Sequence, residues 1–451
     1  MESEFSDISE IKIQKNSKRE YQDGLIFAHI LGYLGKVTMK EVKNEGYFLD
    51  DYIGRTGIEQ TYNQQLKGVH GKELTEINNL GQTQKILATK QPIEGENLTL
   101  SIDSKLQKIL YQSLKSKLSQ LSTSRAAAVA MDPRNGKILA LVSLPSFDNN
   151  NFIKGDATYI NNLFHNNNFP LINRVISGGY PSGSTIKPML ALAALQENII
   201  NPLKTINCPG YINLYNESGK IYWTFKDWSI HGTVNMIKAI AESCDVYFYT
   251  IGGGYGNQQG LGIDRIKNYL ELFGWGQKTG IDLPEEKTGL IPDEIWKKEN
   301  KNEKWYIGDT YNTSIGQGDV TISPLQLALA ISAIANNGTL YEPQLLQNSK
   351  PKIIRKISIK QEYFDIVKQG MRETIVTGSA TSLNNLSVHV AGKTGTAETF
   401  KNKTYAHSWF TAFAPYENPE IVIVVLIENG AEIGGMSVAV AKETLNWYFT
   451  K

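Results

Sequence analysis

The sequence feature that most constrains the fold is the stretch Gly179–Pro188, which reads Gly-Tyr-Pro-Ser-Gly-Ser-Thr-Ile-Lys-Pro. Its glycines and prolines end one element, and the apolar run Met189–Leu195 predicts a buried helix that begins near Ser184. Residues three apart share a helix face, so Lys187 can reach the Ser184 hydroxyl. Pro188 falls where the helical hydrogen bonds should begin, which predicts a distorted first turn. A Ser-x-x-Lys pattern alone is also typical of a capping serine near a solvated lysine.

Length and charge exclude several classes of function. A chain of 451 residues is long enough for two or three domains. Its 46 basic and 45 acidic residues give no electrostatic footprint for nucleic acid. No run approaches the roughly 18 apolar residues of a membrane span, and the best candidate, Ile421–Ile427, has the length of a strand. The polar, acidic start Met1–Phe5 does not resemble a signal peptide.

A change of composition near Leu98 predicts two domains. Residues 1–97 are polar and irregular and predict a small accessory domain, whereas residues 98–451 form the larger one. In the accessory part we expect a short helix and turn over Glu41–Asp51, a helix over Ile53–Leu66, and short strands within 68–87.

The larger domain combines a β-hairpin, a helical block and a terminal group of strands. Two apolar strands flank the turn Pro133–Gly136, and Ser323 before Pro324 predicts a capped helix that runs through Ile334. This order predicts an α+β fold, with helices against a mostly antiparallel sheet. The other predicted elements are a strand at Leu98–Ile102, a helix over 103–121, strands Ala126–Met131 and Lys137–Val142, a mainly helical 184–340, strands Val388–Thr396, Ser408–Ala414 and Glu420–Glu428, and a helix over Ser437–Tyr448.

Two further motifs turn the Ser-x-x-Lys pattern into a catalytic signature. In Glu242–Val246, Ser243 is followed two residues later by Asp245, and in Gly392–Thr396, Lys393 lies on a predicted strand with a glycine two residues later. Ser-x-x-Lys, Ser-Asp-Asn and Lys-Thr-Gly occur together in penicillin-binding proteins and β-lactamases. All three are present here in that order.

The match extends beyond the motifs. The chain resembles the class B penicillin-binding proteins, and among them the elongation-type enzymes, over about residues 20–451. The resemblance implies a penicillin-binding and serine β-lactamase-like transpeptidase domain with a smaller N-terminal pedestal domain. The stretches that carry it are Tyr180–Pro188, Trp305–Thr310, Gly316–Gly318, Phe413–Tyr416, Gly54–Glu59 and Leu66–Gly71.

The resemblance also implies a function. Such enzymes are DD-transpeptidases that cross-link peptidoglycan stem peptides during cell elongation and are acylated by β-lactams. It implies no cofactor for catalysis, a place at the periplasmic face of the bacterial inner membrane, and two protein partners: a membrane glycosyltransferase of the elongation machinery and its scaffold protein. Members normally carry an N-terminal membrane anchor, which we do not find in this chain.

The chemistry of acyl transfer fits these residue types. It needs a nucleophile, a base, a route for the proton to the leaving amine, and an oxyanion hole. Ser184 would attack, and Lys187 would be the base if burial and the second cation Lys393 lower its pKa. Ser243 would pass the proton toward the leaving group.

The third motif would hold the substrate. Lys393, Thr394 and their strand would bind the terminal carboxylate and the backbone of the substrate, and Gly395 would leave the strand edge free. By resemblance, the N–H groups of Ser184 and Thr396 would form the oxyanion hole.

The second motif departs from the commoner pattern in one residue. Asp245 stands where most penicillin-binding enzymes have asparagine, and the elongation-type enzymes share this acid. A carboxylate near Lys187 raises its pKa while Lys393 lowers it, and the sequence leaves the balance open.

The two cysteines of the chain, Cys208 and Cys244, frame an Asp227-x-x-x-His231 pair. Some elongation-type enzymes carry zinc at matching places, with an acid where this chain has Cys208. Two thiolates, an imidazole and a carboxylate form a closed set suited to structural zinc. A Cys208–Cys244 disulfide and two buried free thiols are the alternatives.

Other functions share some of these features. A β-lactamase or β-lactam sensor has the same three motifs, but it lacks the pedestal pattern of 54–71, and we identify no second base for deacylation. A division-type class B transpeptidase is the other alternative, and Asp245 with the Asp227–Gly232 block favours elongation. A non-catalytic scaffold is disfavoured by the intact motifs. Trp409 and Phe410 either line the cleft or pack in the core.

Overall fold

The computed structural model describes residues 18–45, 47–399, 402–431 and 433–451. The start of the predicted accessory domain, residues 1–17, lies outside the described residues.

Helices occupy most of the middle of the chain. Two 3₁₀ helices lie at Gly183–Ile186 and Thr381–Asn385. The α-helices are α1 (Gly24–Leu31), α2 (Met39–Glu45), α3 (Gly57–Thr61), α4 (Asn63–Leu66), α5 (Ser104–Leu118), α6 (Asn150–Lys154), α7 (Ala157–Phe164), α8 (Arg174–Ser177), α9 (Lys187–Gln196), α10 (Met236–Ala241), α11 (Asp245–Gly253), α12 (Ile263–Leu272), α13 (Glu294–Lys301), α14 (Ile307–Ser314), α15 (Pro324–Ala335), α16 (Gln361–Val376) and α17 (Met436–Thr450).

The strands form one large sheet and several small ribbons. They are β1 (Leu34–Lys36), β2 (Tyr52–Gly54), β3 (Lys72–Ile77), β4 (Thr83–Lys90), β5 (Ala126–Met131), β6 (Ile138–Leu144), β7 (Ile206–Cys208), β8 (Tyr211–Tyr215), β9 (Ile221–Lys226), β10 (Gly232–Val234), β11 (Thr339–Tyr341), β12 (Ile353–Lys356), β13 (Ala391–Thr399), β14 (Asn402–Ala414) and β15 (Ile421–Ile427).

The large sheet is antiparallel throughout, in the order β13-β14-β15-β5-β6. Every residue of β5 and of β15 is buried, because both faces of these strands are covered. Successive side chains of a strand point to opposite faces. Thus Val424 packs into a core shared with α9 and α15, while Ile423 and Val425 pack into a second core shared with α5 and α17. The sheet is therefore the middle layer of the larger domain.

The N-terminal part is built differently. α1, α3 and the β1–β2 pair lie against the larger domain, where Gln107 Nε2 donates to Ile26 O and Tyr62 donates to Asp282 Oδ2 at 2.7 Å. The β3–β4 ribbon is a two-stranded sheet, and all eight residues of β4 are exposed. This ribbon therefore lacks a core of its own.

Most predicted elements of the larger domain are confirmed. The hairpin, the Ser323-capped helix, the three late strands and the last helix all form. Their ends lie within about three residues of those expected, except that β14 begins at Asn402 and not at Ser408. The α+β class with an antiparallel sheet is likewise confirmed.

Two predictions of secondary structure were wrong, and a third was incomplete. Leu98–Ile102 is not a strand, because the bridge from Leu100 to Leu346 is an isolated one. The block 184–340 is mainly helical, but β7 to β10 add two antiparallel ribbons that the sequence did not predict. The predicted helix over Ile53–Leu66 is instead β2 followed by the short helices α3 and α4.

Candidate active site

The nucleophile segment has the predicted distorted first turn. Gly183–Ile186 is a 3₁₀ turn, and α9 begins only at Lys187, whose backbone N–H donates to Ser184 O. Side chains three apart eclipse each other on a 3₁₀ helix. Ser184 and Lys187 therefore share one face. Ser184 is half-buried, whereas Lys187 is completely buried.

The turn before Ser184 is fixed by hydrogen bonds from several directions. The N–H of Tyr180 donates to Ile322 O, and the N–H of Gly183 donates to Gly316 O, both at 2.9 Å. The indole N–H of Trp409 donates to Pro181 O at 2.9 Å from the sheet side.

Trp409 and Phe410 both belong to the core. Each side chain is buried, so their alternative role as cleft-lining residues does not apply. Trp409 instead supports the nucleophile segment from behind.

Two glycines let the nucleophile turn approach β13 closely. Gly183 has a φ of +52°, and a Cβ there would lie 2.5 Å from Thr396 O. A Cβ at Gly395 would lie 2.8 Å from Thr185 Cγ2 and 3.1 Å from Ser182 O. The missing side chain of Gly395 thus makes room for the nucleophile segment, whereas the sequence interpretation assigned that room to the substrate.

The second motif lies between α10 and α11. Ser243 has a φ of +60°, a left-handed conformation that is rare for residues other than glycine and clusters at functional sites. Cys244 caps α11, where its sulfur accepts from the N–H of Tyr247, and Asp245 is the first residue of that helix. A carboxylate is favoured at this helix end by the helix dipole.

The three motifs meet at the Ser243 hydroxyl. Its oxygen lies 2.8 Å from Lys393 Nζ and 3.3 Å from Lys187 Nζ. Lys187 Nζ also donates to Ser243 O at 2.8 Å and to Asp245 Oδ1 at 2.5 Å. Lys393 Nζ donates in addition to Thr394 O at 2.9 Å.

Burial perturbs the charges of this cluster. Lys393 is completely buried, and burial together with the positive charge of Lys187 holds its pKa well below the usual value, which Asp245 partly offsets. Burial raises the pKa of Asp245, against the opposing effect of Lys187. Two cations and one carboxylate out of water are costly to keep fully ionised, so Lys393 gives up its proton more readily than an exposed lysine does.

One predicted contact is not formed. In the described part of the chain, the hydrogen bonds of Lys187 Nζ go to Ser243 and Asp245, and none goes to the Ser184 hydroxyl. The carboxylate draws the ammonium toward the second motif, because a charged acceptor forms the stronger bond.

Lys393, Thr394, Gly395 and Thr396 lie together on β13, as the sequence predicts. β13 is an edge strand of the large sheet, so the side away from β14 is a place where an extended peptide can add. Thr396 is exposed and Thr394 is half-buried, whereas Lys393 is covered.

The four predicted metal ligands also meet. Cys208 Sγ lies 2.8 Å from Cys244 Sγ, Cys244 Sγ lies 3.4 Å from Asp227 Oδ2, and Asp227 Oδ1 lies 3.3 Å from His231 Nε2. Both cysteines are free, and their sulfurs are farther apart than the roughly 2.05 Å of a disulfide bond. The other ring nitrogen of His231 lies 3.2 Å from Glu242 Oε2.

This donor set fits zinc. All four side chains are buried or nearly so, and atoms of Asp227, His231 and Cys244 lie within 4.8 Å of one another. A carboxylate on the second ring nitrogen is the usual way in which a histidine ligand is oriented. The cluster joins β7, β10 and the start of α11, directly beside Ser243.

Sequence reasoning missed a buried ionic cluster behind the nucleophile segment. Glu428, just after β15, accepts hydrogen bonds from Arg174 Nε at 2.9 Å and from the Tyr180 hydroxyl at 2.8 Å. Arg125 Nε lies 3.2 Å from its second oxygen. Glu428, Arg174 and Tyr180 come from distant parts of the chain, and none has a local motif. Only the charge of Glu428 at the end of an apolar strand could have indicated it.

Family profiles match both parts of the chain. The penicillin binding protein transpeptidase domain matches residues 126–446, and the penicillin-binding protein dimerisation domain matches residues 1–100. The peptidoglycan D,D-transpeptidase MrdA of Acinetobacter baumannii is 38% identical over 471 residues, which cover 98% of this chain and 67% of that protein.

Solved structures resemble the whole chain. A complex between penicillin-binding protein PBP2 and MreC from Helicobacter pylori has a TM-score of 0.84 at 32% identity, over 96% of this chain and 79% of that chain. Pseudomonas aeruginosa PBP2 in complex with WCK 5153 has a TM-score of 0.79 at 31% identity, over 98% and 93%. A peptidoglycan synthase complex that coordinates polymerization and crosslinking has a TM-score of 0.80 at 29% identity, over 95% and 75%.

Among the described residues, none of the helices combines the length and apolar character needed to span a membrane.

Proposed function

The chain belongs to the penicillin-binding proteins with a transpeptidase domain, and from this premise we propose how its residues act and what it binds. The protein is a serine-type peptidoglycan D,D-transpeptidase of the elongation type. Its N-terminal pedestal domain comprises residues 1–97 and its transpeptidase domain residues 98–451.

The reaction proceeds through an acyl-enzyme. The Ser184 oxygen attacks the carbonyl carbon before the terminal D-alanine of a stem peptide, and the bond to that D-alanine breaks. Lys187 takes up the Ser184 proton, and the Ser243 hydroxyl passes a proton to the departing amine. The amine of a second stem peptide then attacks the acyl-enzyme, which forms the cross-link and frees Ser184.

The other site residues hold the substrate and set the charge. Lys393, Thr394 and Thr396 bind the terminal carboxylate, and the N–H groups of Ser184 and Thr396 stabilise the oxyanion. Asp245 holds the side chain of Lys187 in place and stabilises the ammonium that forms when Lys187 takes up the proton.

One observation supports these roles more than any other. The Ser243 hydroxyl lies within hydrogen-bond distance of both buried lysines, Lys187 and Lys393. A proton can therefore move between the nucleophile side and the strand side of the cleft without crossing water. This supports proton transfer toward a leaving amine.

Incubation with benzylpenicillin and intact mass measurement test this function. One adduct per chain should form and persist for many minutes, because a transpeptidase lacks a base that hydrolyses the penicilloyl ester. Rapid loss of the adduct, with many penicillin molecules hydrolysed per enzyme, would instead identify a β-lactamase. A pentapeptide donor with an amine acceptor should then release D-alanine and yield the joined peptide.

We also propose that Cys208, Asp227, His231 and Cys244 hold one structural zinc ion. When bound, zinc supplies the positive charge that two buried thiolates and a carboxylate require. The chain's own contribution is to tie β7 and β10 to the start of α11, so that Ser243 keeps its left-handed conformation. Chemistry takes place elsewhere, on Ser184.

Metal content beside free-thiol titration tests the site. We expect about one zinc per chain. His231→Ala and Cys208→Ala should lose the metal, lower the melting temperature and slow acylation. The exposed His165→Ala is the matched control and should change none of these. A metal-free, fully active protein with a Cys208–Cys244 disulfide would end this proposal.

The partners are stem peptides and β-lactams in the cleft, together with the membrane glycosyltransferase of elongation and its scaffold protein. We assign the protein partners to the pedestal domain. The β3–β4 ribbon supports this assignment, since Leu74, Ile77, Leu80, Ile86 and Leu87 are all exposed there. Several exposed apolar side chains in one small ribbon are typical of a protein interaction site. The substrate places the enzyme at the periplasmic face of a bacterial inner membrane.

Binding of the purified scaffold protein tests the partner assignment. Leu74→Ser and Leu87→Ser in the ribbon should weaken binding to the scaffold while acylation by penicillin stays normal. Unchanged binding in both variants would move the partner surface elsewhere.

A further inference from the structure

Ser379 lies beside the third motif without belonging to it. Its hydroxyl oxygen is 2.6 Å from Thr394 Oγ1, and either oxygen can be the donor. Ser379 is exposed and Thr394 is half-buried, so the pair borders the open side of β13. A distance of 2.6 Å is within the range of a normal O–H···O hydrogen bond.

The position of Ser379 is fixed by backbone contacts on both sides. The N–H of Gly378 donates to Glu373 O at 2.9 Å, and the N–H of Ala380 donates to Thr374 O at 3.0 Å. Both acceptors lie in the last turns of α16. Ser379 thus rests on a helix end that holds its hydroxyl against Thr394.

Gly378 ties this helix end to the second motif. A Cβ at Gly378 would lie 2.3 Å from Ala241 O, so the two backbones touch where any other residue would separate them. Ala241 is the last residue of α10 and lies two residues before Ser243. The Ser379 hydroxyl is therefore held in a fixed relation to both the second and the third motif.

A hydroxyl has one proton to donate and two lone pairs to accept with. In the Ser379–Thr394 pair, one hydroxyl donates its proton to the other. A single O–H group is then left to donate toward the cleft. A bound anion favours the arrangement of the two hydroxyls in which an O–H group, and not an oxygen lone pair, points toward the anion. The donor that receives a hydrogen bond from behind is also the stronger one, because linked hydrogen bonds polarise each other.

We infer that Ser379 assists substrate binding in the cleft through Thr394. The Ser379 hydroxyl donates to Thr394, so that the Thr394 hydroxyl donates its proton to the terminal carboxylate of the substrate. Thr394 is the end of the pair that contacts the carboxylate because it adjoins Lys393, whose ammonium lies 2.9 Å from Thr394 O. Lys393 is itself buried, so it attracts the anion from beneath while the hydroxyls contact it. Ser379 is a positioning residue in this scheme, and the inference rests on the proposed function.

Two probes that differ only in the carboxylate test this inference. Benzylpenicillin carries the carboxylate, and its methyl ester does not. Ser379→Ala should lower the second-order rate of Ser184 acylation by benzylpenicillin about 3- to 10-fold, the range expected for loss of one hydrogen bond between neutral hydroxyls. Acylation by the methyl ester should change less than about 2-fold, because there is no anion to bind.

Two further variants separate positioning from a structural effect. Ser379→Thr keeps the hydroxyl and should restore the rate with benzylpenicillin. Thr377→Ala removes an exposed hydroxyl of the same loop, whose hydrogen bonds within the described part of the chain go to Glu373, and it should leave both rates unchanged.

Equal losses with both probes would overturn the inference, since they would show a general effect on the site. An unchanged rate with benzylpenicillin in Ser379→Ala would also overturn it. A wild-type protein that forms no adduct on Ser184 would instead overturn the proposed function, which is a distinguishable result.

Discussion

The five-stranded sheet and the β3–β4 ribbon are both antiparallel, yet their surroundings are opposite. β15 reads Ile-Val-Ile-Val-Val-Leu-Ile, and each of its residues is buried between two helical layers. β4 has Ile86 and Leu87 among polar residues, and every residue of it is exposed.

This difference explains why the catalytic residues lie in the domain built on the sheet and not in the ribbon. Lys393 is a charged residue, yet its side chain is completely buried. The sheet and the neighbouring helices cover it. The burial that lowers the pKa of Lys393 thus depends on the sheet. The ribbon has no such support and presents apolar side chains outward, as a binding surface does.

The largest expected effect on the sheet side is that of Lys187→Ala. It removes the base, and loss of a general base typically costs about 10²–10⁴-fold in rate. Acylation by benzylpenicillin, measured in single turnover, should fall by that factor while the protein stays folded. Lys352→Ala is the matched control, because Lys352 is an exposed lysine of the same domain. A normal rate in Lys187→Ala would show that another group is the base.

Glu428→Ala should destabilise the protein more than any surface change. It leaves the buried Arg174 without its carboxylate, and breaking a buried ion pair in this way costs about 3–5 kcal/mol. Chemical unfolding monitored by tryptophan fluorescence measures the loss. Pairing Glu428→Ala with Arg174→Met should recover part of it, whereas additive losses would show that the two residues do not interact.

Asp245→Asn should shift the pH dependence of acylation. The carboxylate favours the charged form of Lys393, so its removal lowers the pKa of Lys393 further and makes the neutral form of Lys393 easier to reach. The rate rises with pH as the lysine cluster loses its proton, and this rise should move to lower pH in the variant. The pH–rate profile under single-turnover conditions measures it, and a rise that stays in place or moves to higher pH would contradict the assignment.

The smallest expected effect is that of truncation in the ribbon. Ile423→Ala in the sheet should cost about 2–5 kcal/mol, since it removes a fully buried side chain. Ile86→Ala in the ribbon should change the free energy of unfolding by at most about 0.5 kcal/mol, since Ile86 is exposed. Equal losses at the two isoleucines would abolish the contrast between the regions.

The sequence predicted the parts of the fold that have strong local signals. The apolar run 421–427 has the length of a strand, the run 126–131 precedes a hairpin turn, and Ser323 with Pro324 marked the start of α15. The same holds for the site, since the three motifs and the four metal-type ligands are each brought together.

The rest could not be seen because it depends on distant partners. β7 and β10 are three residues each and form only because they pair with each other. Leu98–Ile102 has the composition of a strand, but among the described residues it pairs with the segment around Leu346 through an isolated bridge and not through a strand. The Ser379–Thr394 hydrogen bond and the Glu428 cluster join residues that share no pattern.

The central claim is that Ser184 is the acylated nucleophile. The most direct measurement is peptide mapping by mass spectrometry after incubation with benzylpenicillin, for the wild type and for Ser184→Ala. We expect one penicilloyl adduct on the peptide that contains Ser184, and none in the variant. An adduct that maps to another residue, or that persists in Ser184→Ala, would contradict it.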